Sequence, residues 1–287
     1  MMRRILFSLI LSCTPCWVAA NADCFSDLQN GDASLTLRYF NIRGLAEPIR
    51  LLLAAAGVPY DEVKFENCGD ECPSGVEDWV KYKGKHGNSR TLPFGQVPSL
   101  TYVSSSGVKI VVVQSLAIQD YIARKCGLLL EDSEEDRARM LIIAGGVMDV
   151  RKRYGQLVYN KEVAGEKGSE LIDTYVASTL RVWLPMFERL LSESKGPFFM
   201  GEKLTYIDTM VFDMLDSNLR IDPQCLGKLP LLHSHTLAVA RLLGSYLSSP
   251  MRRKFSNGQS AFFDTATHPA RFDPEKSVYF LDQKDEL

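Results

Sequence analysis

The chain has 287 residues, of which 46% are hydrophobic and 24% charged, and 33 Lys plus Arg against 35 Asp plus Glu leave a formal charge of −2. This is ordinary globular composition. It excludes a disordered, collagen-like or coiled-coil chain and leaves length for one large core or two smaller ones. With no basic excess there is no counterion-releasing surface for nucleic acid, so a small molecule or another protein is the expected partner.

Residues 1–22 read as an address. Arg3 and Arg4 open a mostly apolar run from Ile5 to Ala20, and Ala20-Asn21-Ala22 offers a small-residue cleavage site before Asp23. That is the layout of a secretory signal peptide. A membrane anchor is the alternative, but the run is shorter than the roughly 20 residues a span needs, and Pro15 interrupts it. No other segment is long and apolar enough to span, so no membrane span is expected after cleavage. Losing Arg3 and Arg4 with the leader shifts the net charge to −4 (31 basic against 35 acidic residues).

Residues 35–40 alternate like a half-buried strand, and Gly44 breaks the chain. A helix follows with Ile49, Leu51, Leu52, Leu53 and Ala56 on its apolar side, Pro48 in its first turn and Gly57 as its stop. Tyr60 to Phe65 predicts a second strand. From Asn67 to Arg90 the chain is polar and glycine-containing, which predicts loops around a short helix near Trp79. Pro98–Tyr102 and Val108–Val113 predict two strands joined by a Ser-Ser-Ser-Gly turn. Ser115 is then expected to cap a helix that ends at Gly127.

After the acidic stretch from Glu131 to Asp136 the pattern turns helical: about 134–156, 170–194, 205–219, 230–247 and 250–255. The fold class is therefore α/β plus all-α, a small α/β domain over 34–127 followed by an all-helical domain over 133–255. Residues 256–287 show no period and read as a tail. It closes on Lys284-Asp285-Glu286-Leu287, a receptor-read retrieval signal of the endoplasmic reticulum. Together the two ends predict the lumen of that organelle, with the retrieval receptor as a partner.

Of seven cysteines, Cys13 and Cys16 fall in the leader; Cys24, Cys68, Cys72, Cys126 and Cys225 remain. An odd number leaves at least one free or intermolecular thiol. Cys68-Gly69-Asp70-Glu71-Cys72 is a close pair in a loop, suited to a disulfide in an oxidising compartment. Two unpaired thiols are the alternative. A zinc site is a further rival that lacks two ligands, with only His86 near. Thr205 and Asp208 form a variant capping box. His233 and His235 are two apart on a helix and cannot share one site.

Several motifs in order carry a resemblance: Leu37-Arg38-Tyr39-Phe40-Asn41-Ile42-Arg43-Gly44, Glu47-Pro48-Ile49-Arg50-Leu51-Leu52-Leu53-Ala54, Leu92-Pro93-Phe94-Gly95-Gln96-Val97-Pro98, Gln114-Ser115-Leu116-Ala117-Ile118, Met148-Asp149-Val150-Arg151 and Thr205-Tyr206-Ile207-Asp208. Over residues 34–255 the chain resembles the soluble glutathione transferases of the tyrosine-type classes, with pi and sigma nearest. The resemblance implies a thioredoxin-like first domain and a helical second domain carrying the acceptor pocket. It implies no bound cofactor or metal, with glutathione as co-substrate, small hydrophobic electrophiles as acceptors, and a homodimer.

It also implies roles. Tyr39 would stabilise the glutathione thiolate; a free thiol near pKa 8.5 is only a few per cent ionised at neutral pH. Ser115 and Gln114 would take the γ-glutamyl carboxylate, and a helix N-terminus favours an anion independently of any family. Val97, before a cis Pro98, would pair its backbone with the cysteinyl residue, and Gln96 and Pro98 of the same loop would also belong to the glutathione-binding set. Trp79 and either Lys83 or Lys85 would hold the glycyl carboxylate. Asp149 would reach the partner subunit's γ-glutamyl ammonium, or be a solvated helix carboxylate. Tyr159 would line the acceptor pocket, or be a core aromatic. Phe94 resembles the key residue of the dimer.

Two departures stand out. The stretch from Tyr60 to Pro93, with its insertion over 66–90, is about fifteen residues longer than is typical of the resemblance, and Leu45 stands where several classes have arginine. The expected activity is conjugation of glutathione to electrophilic apolar substrates. A glutathione-dependent isomerase or peroxidase and a non-catalytic binding protein are the alternatives. A thiol–disulfide oxidoreductase fits poorly, because Asn41 to Arg50 contains no cysteine at the first helix N-terminus.

Overall fold

The computed structural model describes residues 24–28, 31–130 and 133–253. The expected leader over 1–22 and the tail over 256–287, with its retrieval tetrapeptide, lie outside them. The chain divides into two compact units between Leu129 and Leu130.

In the first unit, strand β1 (Ser34–Phe40) buries Leu35, Leu37 and Tyr39 and leaves the residues between them half-buried, the period of two that the sequence showed. It is followed by α1 (Glu47–Ala55), β2 (Asp61–Glu66), β3 (Val76–Asp78), α2 (Trp79–His86), β4 (Ser99–Val103), β5 (Lys109–Val113) and α3 (Ser115–Cys126). The sheet order is β3-β2-β1-β4-β5, with β1 parallel to β2 and antiparallel to β4. Helices α1 and α3 pack together, completing a thioredoxin-like unit. The sequence reading missed β3: three residues carry no period, and only pairing with Lys64–Glu66 makes them a strand.

This unit starts ahead of the expected boundary at residue 34. Cys24 forms a disulfide with Cys126, 102 residues on, at the end of α3. Phe25 is buried edge-on to Tyr102, with 5.1 Å between ring centroids. Asp27 accepts hydrogen bonds from the Tyr102 hydroxyl at 2.6 Å and the Ser105 amide at 3.0 Å. The Tyr102 bond, foremost, holds the Asp27 carboxyl below its ordinary range; burial and then the Asp27 bond push Tyr102 up to about 12. A second disulfide joins Cys68 to Cys72. Cys225, the free cysteine among the described residues, is pushed up to about 12 by burial.

The second unit is helical. Ser133 caps α4 (Glu134–Val158), accepting from the Asp136 amide at 3.0 Å. The expected helix over 170–194 is α5 (Gly168–Tyr175), a π-helical turn over Val176–Leu180, and α6 (Arg181–Ser192), with Pro185 inside α6. The expected 230–247 helix is two pieces, α8 (Pro230–Leu242) and α9 (Gly244–Leu247), parted next to a glycine. Residues 250–253 are a turn and a bend running into irregular chain, not the expected helix, and 254–255 lie outside the described residues; so short a segment cannot sustain a helix by itself.

Helix α7 (Tyr206–Leu219) is buried along its whole length, which forces partners on its three acids. Asp208 accepts from Thr205 N and Oγ1 at 2.8 Å each and from Phe199 N at 2.9 Å, and lies 3.0 Å from His235 Nε2. Asp213 pairs with Arg151, and Asp216 with Arg252 at 2.7 Å. The capping box is thus a buried structural knot. His235 is buried within it while His233 is half-exposed, so the two do point apart.

Candidate active site

Strand register brings the predicted residues of the first unit to one end of the sheet. Phe40, at the end of β1, pairs with Phe65, and Glu66 next to it pairs with Asp78, which directly precedes Trp79. On the other side Arg38 pairs with Ser99, which follows Pro98, and Ser99 pairs with Val113, which precedes Gln114 and Ser115. Trp79, Tyr39, the Val97–Pro98 bond and the α3 N-terminus therefore stand at the same sheet edge.

Tyr39 is buried, and its hydroxyl oxygen accepts a hydrogen bond from the Leu45 amide at 3.0 Å. A hydroxyl that accepts at a lone pair still carries its own hydrogen as a donor, and accepting one bond strengthens the other. Gly44 makes this approach feasible. Its φ is +46°, in the left-handed region, and a Cβ there would stand 2.6 Å from the Tyr39 hydroxyl oxygen. The turn is clamped from behind by buried Arg50, which donates to Ile42 O at 3.0 Å and Arg43 O at 3.2 Å and pairs with Glu62 at 2.6 Å and Glu47 at 3.3 Å. Gly44 and Arg50 are site-building residues that sequence reasoning missed. Gly44 was legible only as a chain break, and Arg50 only as one charge among apolar neighbours.

Helix α2 places Trp79 in an aromatic cluster, 5.4 Å from Phe40 and 5.3 Å from Phe65 between centroids. Asp78 caps α2, accepting from the Lys81 amide at 2.8 Å. With that start fixed, Lys83 is four residues past Trp79 and on its face: its ammonium lies 5.9 Å from the Trp79 ring centre, and its side chain borders Gly95. Lys85 points elsewhere, into an open cleft with Cys72, Lys81 and His86. Beyond Gly95, Gln96 is exposed, Val97 half-buried and Pro98 buried, and the Val97–Pro98 bond is cis.

Ser115 is not the cap of α3. Gln114 occupies that position, with φ +73° and no side-chain capping bond, and Ser115 is the first helical residue. The first intrahelical bond runs from Ile118 N to Gln114 O, so the amides of residues 115–117 form the open first turn. A non-glycine residue held at positive φ is a strained arrangement of the kind that concentrates at functional sites. Ser115 itself is buried, and its carbonyl accepts from Gln119 Nε2 at 3.0 Å.

The remaining candidates are surface groups. Phe94 is 65% exposed and Leu45 is 37% exposed. In the second unit Asp149 is exposed on α4, and Tyr159, which ends α4, is 59% exposed and so is not a core aromatic. Both sulfurs of Cys68 and Cys72 are engaged with each other.

Two family models match the chain: the glutathione S-transferase N-terminal domain over residues 35–124 and the C-terminal domain over 148–249. Glutathione S-transferase B of Cavia porcellus is 36% identical over 201 residues, covering 68% of this chain and 82% of that protein. Glutathione S-transferase Mu 3 of Homo sapiens is 34% identical over 223 residues, 76% of this chain and 89% of that one. Among solved structures, the pi-class glutathione S-transferase of Onchocerca volvulus superposes with a TM-score of 0.63 at 30% identity, covering 78% of this chain and 98% of that one. The sigma-class enzyme of Fasciola hepatica gives 0.63 at 25% identity, over 75% and 96%. These matches span both units, and the chain belongs to the glutathione S-transferase family.

Proposed function

We propose that this glutathione transferase binds glutathione along the strand ends of its first unit and transfers the thiolate to electrophilic apolar acceptors. The observation that carries the reading is the Tyr39 hydroxyl, seated against Gly44, bonded to Leu45 N and placed at the edge that also holds the cis-proline loop and the open first turn of α3. Tyr39 donates to the glutathione sulfur and favours its ionised form; each unit of pKa lowering corresponds to about 1.4 kcal/mol. The α3 first turn, with Ser115 and Gln114, takes the γ-glutamyl carboxylate. Val97 pairs with the cysteinyl backbone beside Gln96, and Trp79 with Lys83 holds the glycyl carboxylate. Positioning and thiolate stabilisation are then the enzyme's two contributions.

A homodimer, the commonest symmetric assembly, would give the exposed Phe94 ring of the first unit an apolar contact. In that dimer Asp149 reaches the partner's γ-glutamyl ammonium, and Tyr159 lines the acceptor pocket. Residence in the endoplasmic reticulum lumen is supported by the sequence of residues 1–22 and 284–287 and by two disulfides among the described residues. Detoxification of apolar electrophiles is the role this chemistry serves.

Turnover of the purified protein with glutathione against a panel of aryl halides, enones, isomerisable ketones and organic peroxides tests the reading. Conjugation is the expected activity. Turnover confined to isomerisation or peroxide reduction, or binding without turnover, would replace it. Cell fractionation with and without residues 284–287 tests the location: the truncated chain is expected in the medium, and full-length chain in the cytosol contradicts the luminal assignment.

A further inference from the structure

The 66–90 insertion holds a disulfide that the conjugation chemistry does not use. We propose that Cys68–Cys72 is a second site of glutathione chemistry, a thiol–disulfide exchange site whose state sets how firmly α2 holds glutathione at the active site. The inference rests on the reading that α2 contacts the glycyl end.

The two disulfides among the described residues differ in kind. Cys24–Cys126 joins residues 102 apart in sequence and ends on a fully buried Cys126. Cys68–Cys72 joins residues four apart in sequence, both cysteines are half-exposed, and the loop it closes is too small for a large chain-entropy contribution. Exposed, weakly stabilised disulfides are the exchangeable ones. Cys72 borders an open cleft of about 580 Å³, lined also by Lys81, Lys85, His86, Asp70 and Glu77. Basic and acidic side chains together complement a peptide that carries two carboxylates and an ammonium.

In the exchange, a glutathione thiolate attacks Cys72 Sγ. A mixed disulfide forms, and Cys68 leaves as a thiolate that takes a proton from water. A second glutathione thiolate attacks the glutathione sulfur of the mixed disulfide, releasing the Cys72 thiol and glutathione disulfide. Two glutathiones are oxidised and one protein disulfide is reduced.

The link to the active site is Asp78. Its carboxylate accepts from Cys68 N at 3.1 Å and Gly69 N at 2.7 Å on the disulfide loop, and from Lys81 N at 2.8 Å on α2. These backbone bonds, Lys81's foremost, hold the Asp78 carboxyl below its ordinary range. Helix α2 has eight residues, none of them buried, so it depends on this cap and on its aromatic contacts. Opening the disulfide frees the loop to sample conformations that withdraw two of the three amides from Asp78. The cap then loses its fixed orientation, and Trp79 and Lys83 lose theirs.

The test uses the full-length protein made in an oxidising compartment. Glutathione binding is first measured on the oxidised form. The protein is then equilibrated at graded ratios of glutathione to glutathione disulfide, and each cysteine's state is read by alkylation and peptide mass spectrometry. KM for glutathione is measured on the oxidised protein, on protein pre-reduced with a trialkylphosphine and desalted, and on the Cys68→Ser, Cys72→Ser double variant. The expected result is selective reduction of Cys68–Cys72 with Cys24–Cys126 intact. KM for glutathione should rise about three- to tenfold in both the reduced protein and the variant, with kcat nearly unchanged. A bond that resists every ratio, or a KM indifferent to its state, overturns the proposal alone. Absence of glutathione binding in the oxidised protein removes the glutathione-transferase reading and this proposal together.

Discussion

The Leu45 amide and the Tyr39 hydroxyl are bonded at 3.0 Å across a turn in which Gly44 brings the chain to within a methyl group's reach of the phenol. The proposed catalytic group is therefore built by the backbone as much as by its own side chain. Gly44→Ala must adopt φ +46° with a Cβ and displace the Tyr39 ring. The left-handed conformation alone costs about 1–2 kcal/mol. We expect reduced thermal stability and a loss of at least about tenfold in kcat/KM, measured by calorimetry and steady-state kinetics. A fully active variant would show that the turn does not hold Tyr39 in its working position.

Two of the three lysines of α2, Lys83 and Lys85, are separable. Lys83 shares the face of Trp79, whereas Lys85 borders the cleft beside Cys72. Lys83→Ala should raise KM for glutathione about five- to tenfold with little change in kcat, the signature of lost uniform binding. Lys85→Ala should leave KM within about twofold. The reverse pattern would move the glycyl site to the other face of α2.

The Cys24–Cys126 disulfide should act on stability. It joins residues 102 apart in sequence, a loop length for which the chain-entropy model gives a contribution of several kcal/mol. The Cys24→Ser, Cys126→Ser variant is expected to unfold about 2–5 kcal/mol more easily in denaturant titrations. Unchanged stability would mean that the amino-terminal segment is not a working part of the first unit.

The contact between Asp27 and Tyr102 sets a pH window. Asp27 has a lowered pKa, so its contribution is present above its ordinary value of 3.8 and is lost as pH falls through the lower folded value. Tyr102 is raised to about 12 from 10.0, so its contribution is complete below pH 10.0 and disappears as pH rises towards 12. Tyr102→Phe should cost about 1 kcal/mol at neutral pH, after allowance for solvent exposure. Its penalty should shrink at both extremes. Denaturant titrations of wild type and variant across pH check this, and a penalty independent of pH would contradict it.

How legible this was in sequence depended on whether a signal was local. The alternation of β1, the stop at Gly127 and the Thr205–Asp208 capping box all lie within a few residues and could be read directly. The choice between Lys83 and Lys85 could not, because it depends on which residue starts α2, and Asp78 settles that through a hydrogen bond to Lys81. The pairing of Cys24 with Cys126 is invisible to spacing at a separation of 102 residues. Ser115 reads as a cap because Ser before an apolar run has that signature, whereas a Gln at φ +73°, the residue that does occupy the cap, has none. The π-helical turn at Val176–Leu180 likewise sits in an unremarkable helical pattern.

Tyr39 is proposed to stabilise the glutathione thiolate. A pH titration of the ultraviolet thiolate absorbance of glutathione bound to wild type and to Tyr39→Phe decides this role. The wild type should ionise bound glutathione at least about one pKa unit below the free thiol. The variant should return that value towards the free thiol, bind glutathione nearly as well, and lose about tenfold or more in turnover. A bound thiol that titrates identically in the two proteins would contradict the account.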